Sequence, residues 1–226
     1  MNTGIYAIVQ ARMSSQRFPN KALADILGKP MLQRVLERLQ ASELLEKVIL
    51  ATTTNPEDKV LIDLASSIDI PSFAGSEDDV LDRLYQAANG ANTVVRITGD
   101  CPLVDPKLIE GVLQYHFLYE YEFTTDRPSY PDGLDIEVMS YPALQRAWES
   151  ASSPYDREHV TSYILSHPEK FRIGRFSYDI PLPDSFPKLS VDAPQDLELV
   201  RKVYSLIGEY CTTADIIDCI TSGYLS

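Results

Sequence analysis

Ile5-Tyr6-Ala7-Ile8-Val9-Gln10-Ala11-Arg12-Met13-Ser14-Ser15-Gln16-Arg17-Phe18-Pro19-Asn20-Lys21 is the stretch on which the fold is read. Its first five residues are an apolar, β-branched-rich run of the kind that forms a buried strand. The remainder reads as a loop with Arg12, Arg17 and Lys21 and the hydroxyls of Ser14 and Ser15, and no acidic residue precedes Asp25. Guanidinium, ammonium and hydroxyl groups together suit the oxygens of a polyphosphate. The GxxxxGK[ST] spacing of a P-loop is absent. A solvated basic loop is the plainer alternative.

The cationic character of this loop runs against the rest of the chain. The 226 residues carry a formal net charge of -13. Residues 12–29 hold Arg12, Arg17, Lys21 and Lys29 against Asp25 alone. An acidic protein that binds an anion must concentrate positive charge locally. The same acidity excludes a nucleic-acid partner, which needs a broad basic surface. Cys101, Cys211 and Cys219 are odd in number and lack metal-type spacing, which fits a reduced, cytoplasmic setting. No signal pattern and no run long enough to span a bilayer is read, so no membrane insertion is expected.

Outward from the first strand, strand and helix patterns alternate. Strands are expected at 48–52, 68–73 and 93–97, and helices at 31–39, 58–65, 78–88 and 106–117. Such alternation with short links predicts an α/β fold with a mainly parallel sheet covered on both faces. Ligands in such sheets bind beyond the carboxyl ends of the strands. After residue 120 the pattern changes. Strands are expected at 123–125, 134–138 and 171–178, with a stiff connector at 181–187 holding Pro181, Pro183 and Pro187. A last strand at 188–191 and a helix from about 194 to 207 complete the series. One domain is expected, with residues 126–187 as a small lobe that covers a site or forms a dimer contact.

Three further groups carry candidate chemistry. In Thr98-Gly99-Asp100-Cys101-Pro102 a carboxylate follows a strand end and a glycine, a placement suited to magnesium. In Ser190-Val191-Asp192-Ala193-Pro194 a second aspartate stands before a helix, and the topology allows Asp100 and Asp192 to meet across one ion. A turn aspartate and a helix cap are the plainer readings. The segments Tyr130–Glu137 and Tyr155–Val160 mix acids, bases and aromatic rings that suit a polar, hydroxyl-rich acceptor, or simple surface pairing.

Taken together, these motifs resemble a known family. The run Gln10-Ala11-Arg12, Ser15, Arg17-Phe18-Pro19, Lys21 is similar to the N-terminal signature of the sugar-acid cytidylyltransferases, the CMP-Kdo and CMP-sialic acid synthetases. Gly75–Arg83, Thr98–Leu103 and Asp156–Thr161 resemble more closely the spore-coat polysaccharide biosynthesis protein F branch. The resemblance spans residues 5–207. It implies a Rossmann-like nucleotide-diphospho-sugar transferase fold. It implies that Arg12, Ser15 and Lys21 bind CTP phosphates with Arg17 beside them, and that Arg83 and neighbours such as Ser76 lie near the nucleotide. Gln10, Ala11, Ser14, Thr98 and Gly99 complete the expected nucleotide site. Arg12, Lys21, Asp100 and Asp192 are the expected catalytic set, and the two aspartates the expected magnesium ligands. Asp132, Gly133, Asp135, Glu137, Arg157 and His159 are the acceptor-side candidates, for an acidic or phosphorylated acceptor, and a homodimer is implied. The chain departs from the sugar-acid synthetases at Gln10, where they usually have Pro, and at Thr98, where they commonly have Gln.

The expected reaction is transfer of CMP from CTP with loss of pyrophosphate. Two alternatives stand beside it. A glycosyltransferase would use a preformed nucleotide sugar, but its Asp-x-Asp motif is missing at Thr98-Gly99-Asp100. A non-catalytic nucleotide-binding subunit would not need Arg12, Lys21, Asp100 and Asp192 together.

Overall fold

The computed structural model describes residues 4–177, 182–183 and 186–222. Strand β1 (Ile5–Gln10) runs into the cationic loop, which closes in a 3-10 turn at Lys21–Leu23 and a two-stranded ribbon, β2 (Asp25–Ile26) and β3 (Lys29–Pro30). Helix α1 (Met31–Gln40), β4 (Lys47–Thr53), α2 (Lys59–Ser67), β5 (Ser72–Gly75), α3 (Val80–Ala87), β6 (Thr93–Thr98) and α4 (Pro106–Leu118) continue the alternation. Then come β7 (Phe123–Thr125), β8 (Glu137–Ser140), α5 (Tyr141–Ser150), α6 (Pro154–Glu158), α7 (Ser162–Ser166), β9 (Ile173–Arg175), α8 (Pro194–Ile207) and α9 (Thr213–Thr221).

Seven strands form one sheet in the order β5-β4-β1-β6-β8-β7-β9. Every neighbouring pair is parallel except those made by β8, which is antiparallel to β6 and β7. The period-2 alternation of β1 divides the core. Ile5, Ala7 and Val9 pack with α1, α4 and α8 on one face. Tyr6 and Ile8 pack with α3, α5 and α7 on the other. The expected mainly parallel, doubly covered sheet is therefore present.

Several element bounds differ from expectation. Residues 68–70 are not strand: the amide of Ile70 donates to the Ala65 carbonyl and Asp69 has φ 59°, so they finish α2, and β5 starts at Ser72. The strand expected at 134–138 begins at Glu137, because the Ile136 amide donates to the Asp126 side chain rather than to a neighbouring strand. The strand expected at 171–178 is Ile173–Arg175; Tyr178 and Pro181 lie outside the described residues. Residues 188–191 form no strand. β6 already has β1 and β8 as neighbours, and the segment is held by loop bonds instead. From the expected lobe, β8 and β9 lie in the main sheet, and α5 and α7 pack on its second face.

Candidate active site

The carboxyl ends of β1 and β6 open into a cavity of 710 Å³, within the usual range for a small-molecule site. Gln10, Ala11, Arg12, Ser14, Ser15, Arg17 and Lys21 line it from β1 and its loop. Thr98, Gly99 and Asp100 line it from β6, and Arg83, His159 and Asp192 from elsewhere in the chain. One site thus gathers every residue expected to hold phosphate or metal. A Cβ at Gly99 would stand 2.8 Å from the Ala11 Cβ and 3.1 Å from the Gln10 carbonyl, so glycine permits the close approach of β6 to the loop.

Asp58 anchors the loop from below. It is buried, accepts the Met13 amide at 2.7 Å, and is tied to Thr52 and Thr53 of β4. At the centre, Lys21 Nζ donates to Asp100 Oδ2 at 2.7 Å, to the Val191 carbonyl at 2.8 Å and to Asp192 Oδ1 at 3.2 Å. Arg17 and Lys188 also reach Asp192, at 2.9 and 3.0 Å. Burial by itself would raise the Asp192 carboxyl; hydrogen bonds and charge from Lys188 and Lys21 outweigh it and hold the group below the usual carboxylate range.

The backbone explains why the two aspartates meet although 92 residues separate them in sequence. The Asp100 carbonyl accepts the Val191 amide at 2.8 Å. The Asp132 carbonyl accepts the amides of Leu189 and Ser190 at 2.6 and 3.1 Å. Asp196 reaches back from α8 to the amides of Asp192 and Ala193 at 2.9 and 2.8 Å. Asp192 is held from both sides.

A cation fits between Asp100 and Asp192, because the Lys21 ammonium lies between them at hydrogen-bond distance. Among the described residues no cluster of three or more His, Cys, Asp or Glu with metal-binding geometry occurs. Two carboxylates at a cavity lined with cationic and hydroxyl groups fit the donor set that magnesium takes, one or two carboxylates completed by phosphate and water.

Five of the six acceptor-side candidates do not line this cavity. Asp132 and Gly133 shape the 189–190 segment: a Cβ on Gly133, whose φ is +103°, would come within 2.2 Å of the Ser190 nitrogen. Asp135 accepts from Arg127 and from the Gly133 amide. Glu137 is buried, with Oε2 on Arg96 at 2.6 Å and Oε1 on Thr161 at 3.0 Å. Arg157 pairs with Asp79, the residue that caps α3. Arg157 and Ser76 line an adjoining cavity that shares Arg12, Ser14 and Glu158 with the first. Of the acceptor candidates, His159 alone lines the first cavity.

Sequence reasoning missed Glu77 and Lys188. Glu77 accepts from Ser14 at 2.6 Å, Asn55 at 2.6 Å and Arg12 at 3.2 Å. Those bonds, that of Ser14 foremost, hold its carboxyl low. Its sequence signal was the acidic cluster 77–79, which reads as helix-dipole complementarity alone. Lys188 stood four residues before Asp192 in a segment read as a strand, where that spacing carries no pairing signal; the loop that 188–192 forms brings the two together.

Comparison with known proteins gives a consistent result. The family model described as Cytidylyltransferase matches residues 6–212. The spore coat polysaccharide biosynthesis protein SpsF of Bacillus subtilis is 30% identical over 91% of this chain and 88% of its own length. A 3-deoxy-manno-octulosonate cytidylyltransferase of Lawsonia intracellularis is 30% identical over 89% of this chain and 80% of its own. The solved structure of a cytidylyltransferase from Leptospira borgpetersenii superposes with a TM-score of 0.91 at 29% identity, covering 98% of this chain and 95% of that one.

Proposed function

The chain belongs to the cytidylyltransferase family, and from that premise we propose that it transfers CMP from CTP to a sugar acid or a related acidic or phosphorylated acceptor, releasing pyrophosphate, in surface polysaccharide or glycoconjugate biosynthesis. The observation that carries the reading is the meeting of Lys21 with Asp100 and Asp192 beside the loop that bears Arg12, Ser14, Ser15 and Arg17. Polyphosphate-binding cations and a paired carboxylate site share one cavity. Family membership sets aside transfer from a preformed nucleotide sugar.

In this mechanism an acceptor oxygen attacks the α-phosphorus of CTP in line with the departing pyrophosphate. Arg12, Arg17 and Lys21 hold the β- and γ-phosphates and stabilise the charge that the leaving group gains. Asp100 and Asp192 would hold magnesium, which when bound neutralises phosphate charge and orients the reacting groups. Catalysis of this kind is mostly positioning and electrostatics. Glu158 and His159, which line the cavity from the C-terminal end of α6, are our acceptor-side candidates, and Asp132, Gly133 and Asp135 act through the segment that carries Asp192. A cytoplasmic setting accords with three buried, unbonded cysteines. Among the described residues no helix is long and apolar enough to cross a membrane. A homodimer completes the proposal, and light scattering after size exclusion tests it.

The first experiment is a thermal shift with CTP, UTP, ATP and GTP, each with magnesium. Ligand at a hundred times its Kd stabilises a fold by about 2.7 kcal/mol. Stabilisation by CTP is expected. Pyrophosphate release is then measured with 3-deoxy-manno-octulosonate, other sugar acids and sugar phosphates. Steady release with a sugar acid or a sugar phosphate supports the proposal and identifies which of the two is the acceptor; binding of CTP without release from any of them would overturn the acceptor class.

A further inference from the structure

Glu77 brings a carboxylate to the cationic loop from outside the cavity that the loop lines. It lies between β5 and α3, and its backbone is set by that helix. Arg83 Nη1 donates to the Ser76 carbonyl, the Ser76 hydroxyl accepts the Asp79 amide at 3.0 Å, and Asp79 caps α3 by accepting the Asp82 amide at 2.8 Å. Glu77 Oε1 accepts from the Ser14 hydroxyl at 2.6 Å and from Arg12 Nη1 at 3.2 Å, and Oε2 accepts from Asn55 Nδ2 at 2.6 Å. One carboxylate therefore ties together the loops that follow β1, β4 and β5, three neighbours in the sheet.

Fold stability does not account for this contact. The Glu77 and Arg12 side chains are 34% and 42% exposed, and an ion pair so open adds little to stability. Its consequence lies in the hydrogen count. A serine hydroxyl has one hydrogen to donate. Ser14 gives that hydrogen to Glu77, so it cannot give it to a phosphate oxygen at the same time. Arg12 has further donors, but the same carboxylate offsets part of its charge. Arg12 and Ser14 line both the main cavity and the adjoining one of 810 Å³, whereas Glu77 lines only the adjoining one of the two. A phosphate in the main cavity and Glu77 beside it face the same two groups.

We propose that Glu77 is a positioning residue that competes with pyrophosphate for Ser14 and Arg12 and so hastens its departure after CMP transfer. The assignment rests on the cytidylyltransferase reading and deepens it. CTP meets the same competition, but its base and ribose add contacts beyond the loop. Pyrophosphate has only the phosphate-binding groups to hold it, so the carboxylate weighs most on the product.

Calorimetric titration of inorganic pyrophosphate and of CTP, each with magnesium, into wild type, Glu77→Gln and Asp78→Asn tests the proposal. Glu77→Gln keeps an oxygen for Ser14 and removes the charge, so the loop keeps its support. It should bind pyrophosphate about threefold or more tightly than wild type does, the scale of one partly exposed charge contact, and should gain less for CTP. A contact with a structural role alone would act the other way, since a loosened loop holds both ligands less well. Asp78 lines the same adjoining cavity and makes no bond to the loop among the described residues. Asp78→Asn thus removes a negative charge but not the competitor, and it should gain less than Glu77→Gln. A smaller gain or a loss in Glu77→Gln, an equal gain in Asp78→Asn, or a larger gain for CTP than for pyrophosphate would overturn the assignment while leaving the cytidylyltransferase reading intact. Binding of neither pyrophosphate nor CTP by any of the three proteins would overturn both.

Discussion

Asp126 makes the stability of this protein depend on pH in a way that can be worked out from its surroundings. The residue follows β7, is fully buried, and uses Oδ1 to accept the Ile136 amide at 2.9 Å. Its Oδ2 has no partner among the described residues. Burial, with added repulsion from Asp135 and Glu137, pushes its carboxyl up to about 8 against the pull of the Ile136 amide. An unfolded aspartate titrates at about 3.9. Between those values the folded state keeps a proton that the unfolded state releases, so stability falls as pH rises, by about 1.36 kcal/mol per unit. His116 on α4 works in the opposite direction. Its ring is buried against Thr124, with Nδ1 2.9 Å from Oγ1, and burial lowers it to about 4. Between 4 and the unfolded value of about 6.5 the unfolded state binds the extra proton, and stability rises with pH. The two groups offset one another up to pH 6.5. Above that Asp126 acts alone, and from pH 6.5 to 8 the fold loses about 2 kcal/mol, or about 4–8 °C in Tm for a chain of this size. Urea titrations at pH 5.5, 6.5, 7.25 and 8 measure the profile. Asp126→Asn keeps an acceptor for Ile136 and cannot ionise, so its profile should be flat above pH 6.5, and it should exceed wild type at pH 8. A wild type equally stable at pH 6.5 and 8, or a variant that declines in parallel with it, refutes the reasoning.

Three further outcomes are expected. Lys21→Ala and Asp100→Asn should each lower the rate of pyrophosphate release by a factor of order a hundred or more, since a well-placed donor of this kind contributes ~2.7–4 kcal/mol to the transition state; near-normal turnover removes the residue from the mechanism. Lys21→Met should bind Mn²⁺ in the absence of nucleotide, seen as loss of the free-ion paramagnetic resonance signal, at least tenfold more tightly than wild type, because Asp100 and Asp192 lose their shared ammonium; equal affinities count against a cation between those carboxylates. Gly133→Ala places a Cβ 2.2 Å from the Ser190 nitrogen at a φ of +103°, and should cost about 2–4 kcal/mol and weaken CTP binding through Asp192; unchanged melting and CTP affinity would show that the 189–192 segment does not depend on this contact.

The sequence carried the sheet and the cationic loop because both are local signals. Ile5–Val9 and Val48–Ala51 are continuous apolar runs and Val94–Ile97 is broken only by Arg96, and a parallel strand buried on both faces reads in that way. Asp100 could be placed at a strand end for the same reason. Residues 188–191 have the same apolar look yet form no strand, because strand identity depends on a free neighbour and β6 has none. The acceptor side was poorly legible. Asp132 acts through its carbonyl on Leu189 and Ser190, Glu137 through Arg96, and Arg157 through Asp79. Each of those partners lies 41 or more residues away, and residue type alone gives no hint of them. A polar residue near a site can bind substrate or build the wall that does, and only long-range contacts separate the two roles.

On the proposed function, the charge arrangement accounts for how so acidic a protein keeps cations ready for phosphate. Each expected phosphate-binding cation rests on a carboxylate: Arg12 on Glu77, Arg17 on Asp192, Lys21 on Asp100 and Asp192. Lys21 is 15% exposed, so leaving it unpaired would be costly, and its two carboxylates would repel one another in its absence. A triphosphate that draws Lys21 away therefore leaves Asp100 and Asp192 in need of another cation. A divalent ion that settles between those carboxylates in turn frees Lys21 for the triphosphate. The same ammonium competes with both ligands' partners, so each ligand must promote binding of the other by an equal factor. On the proposed function, wild type should therefore bind the ion weakly until nucleotide is present.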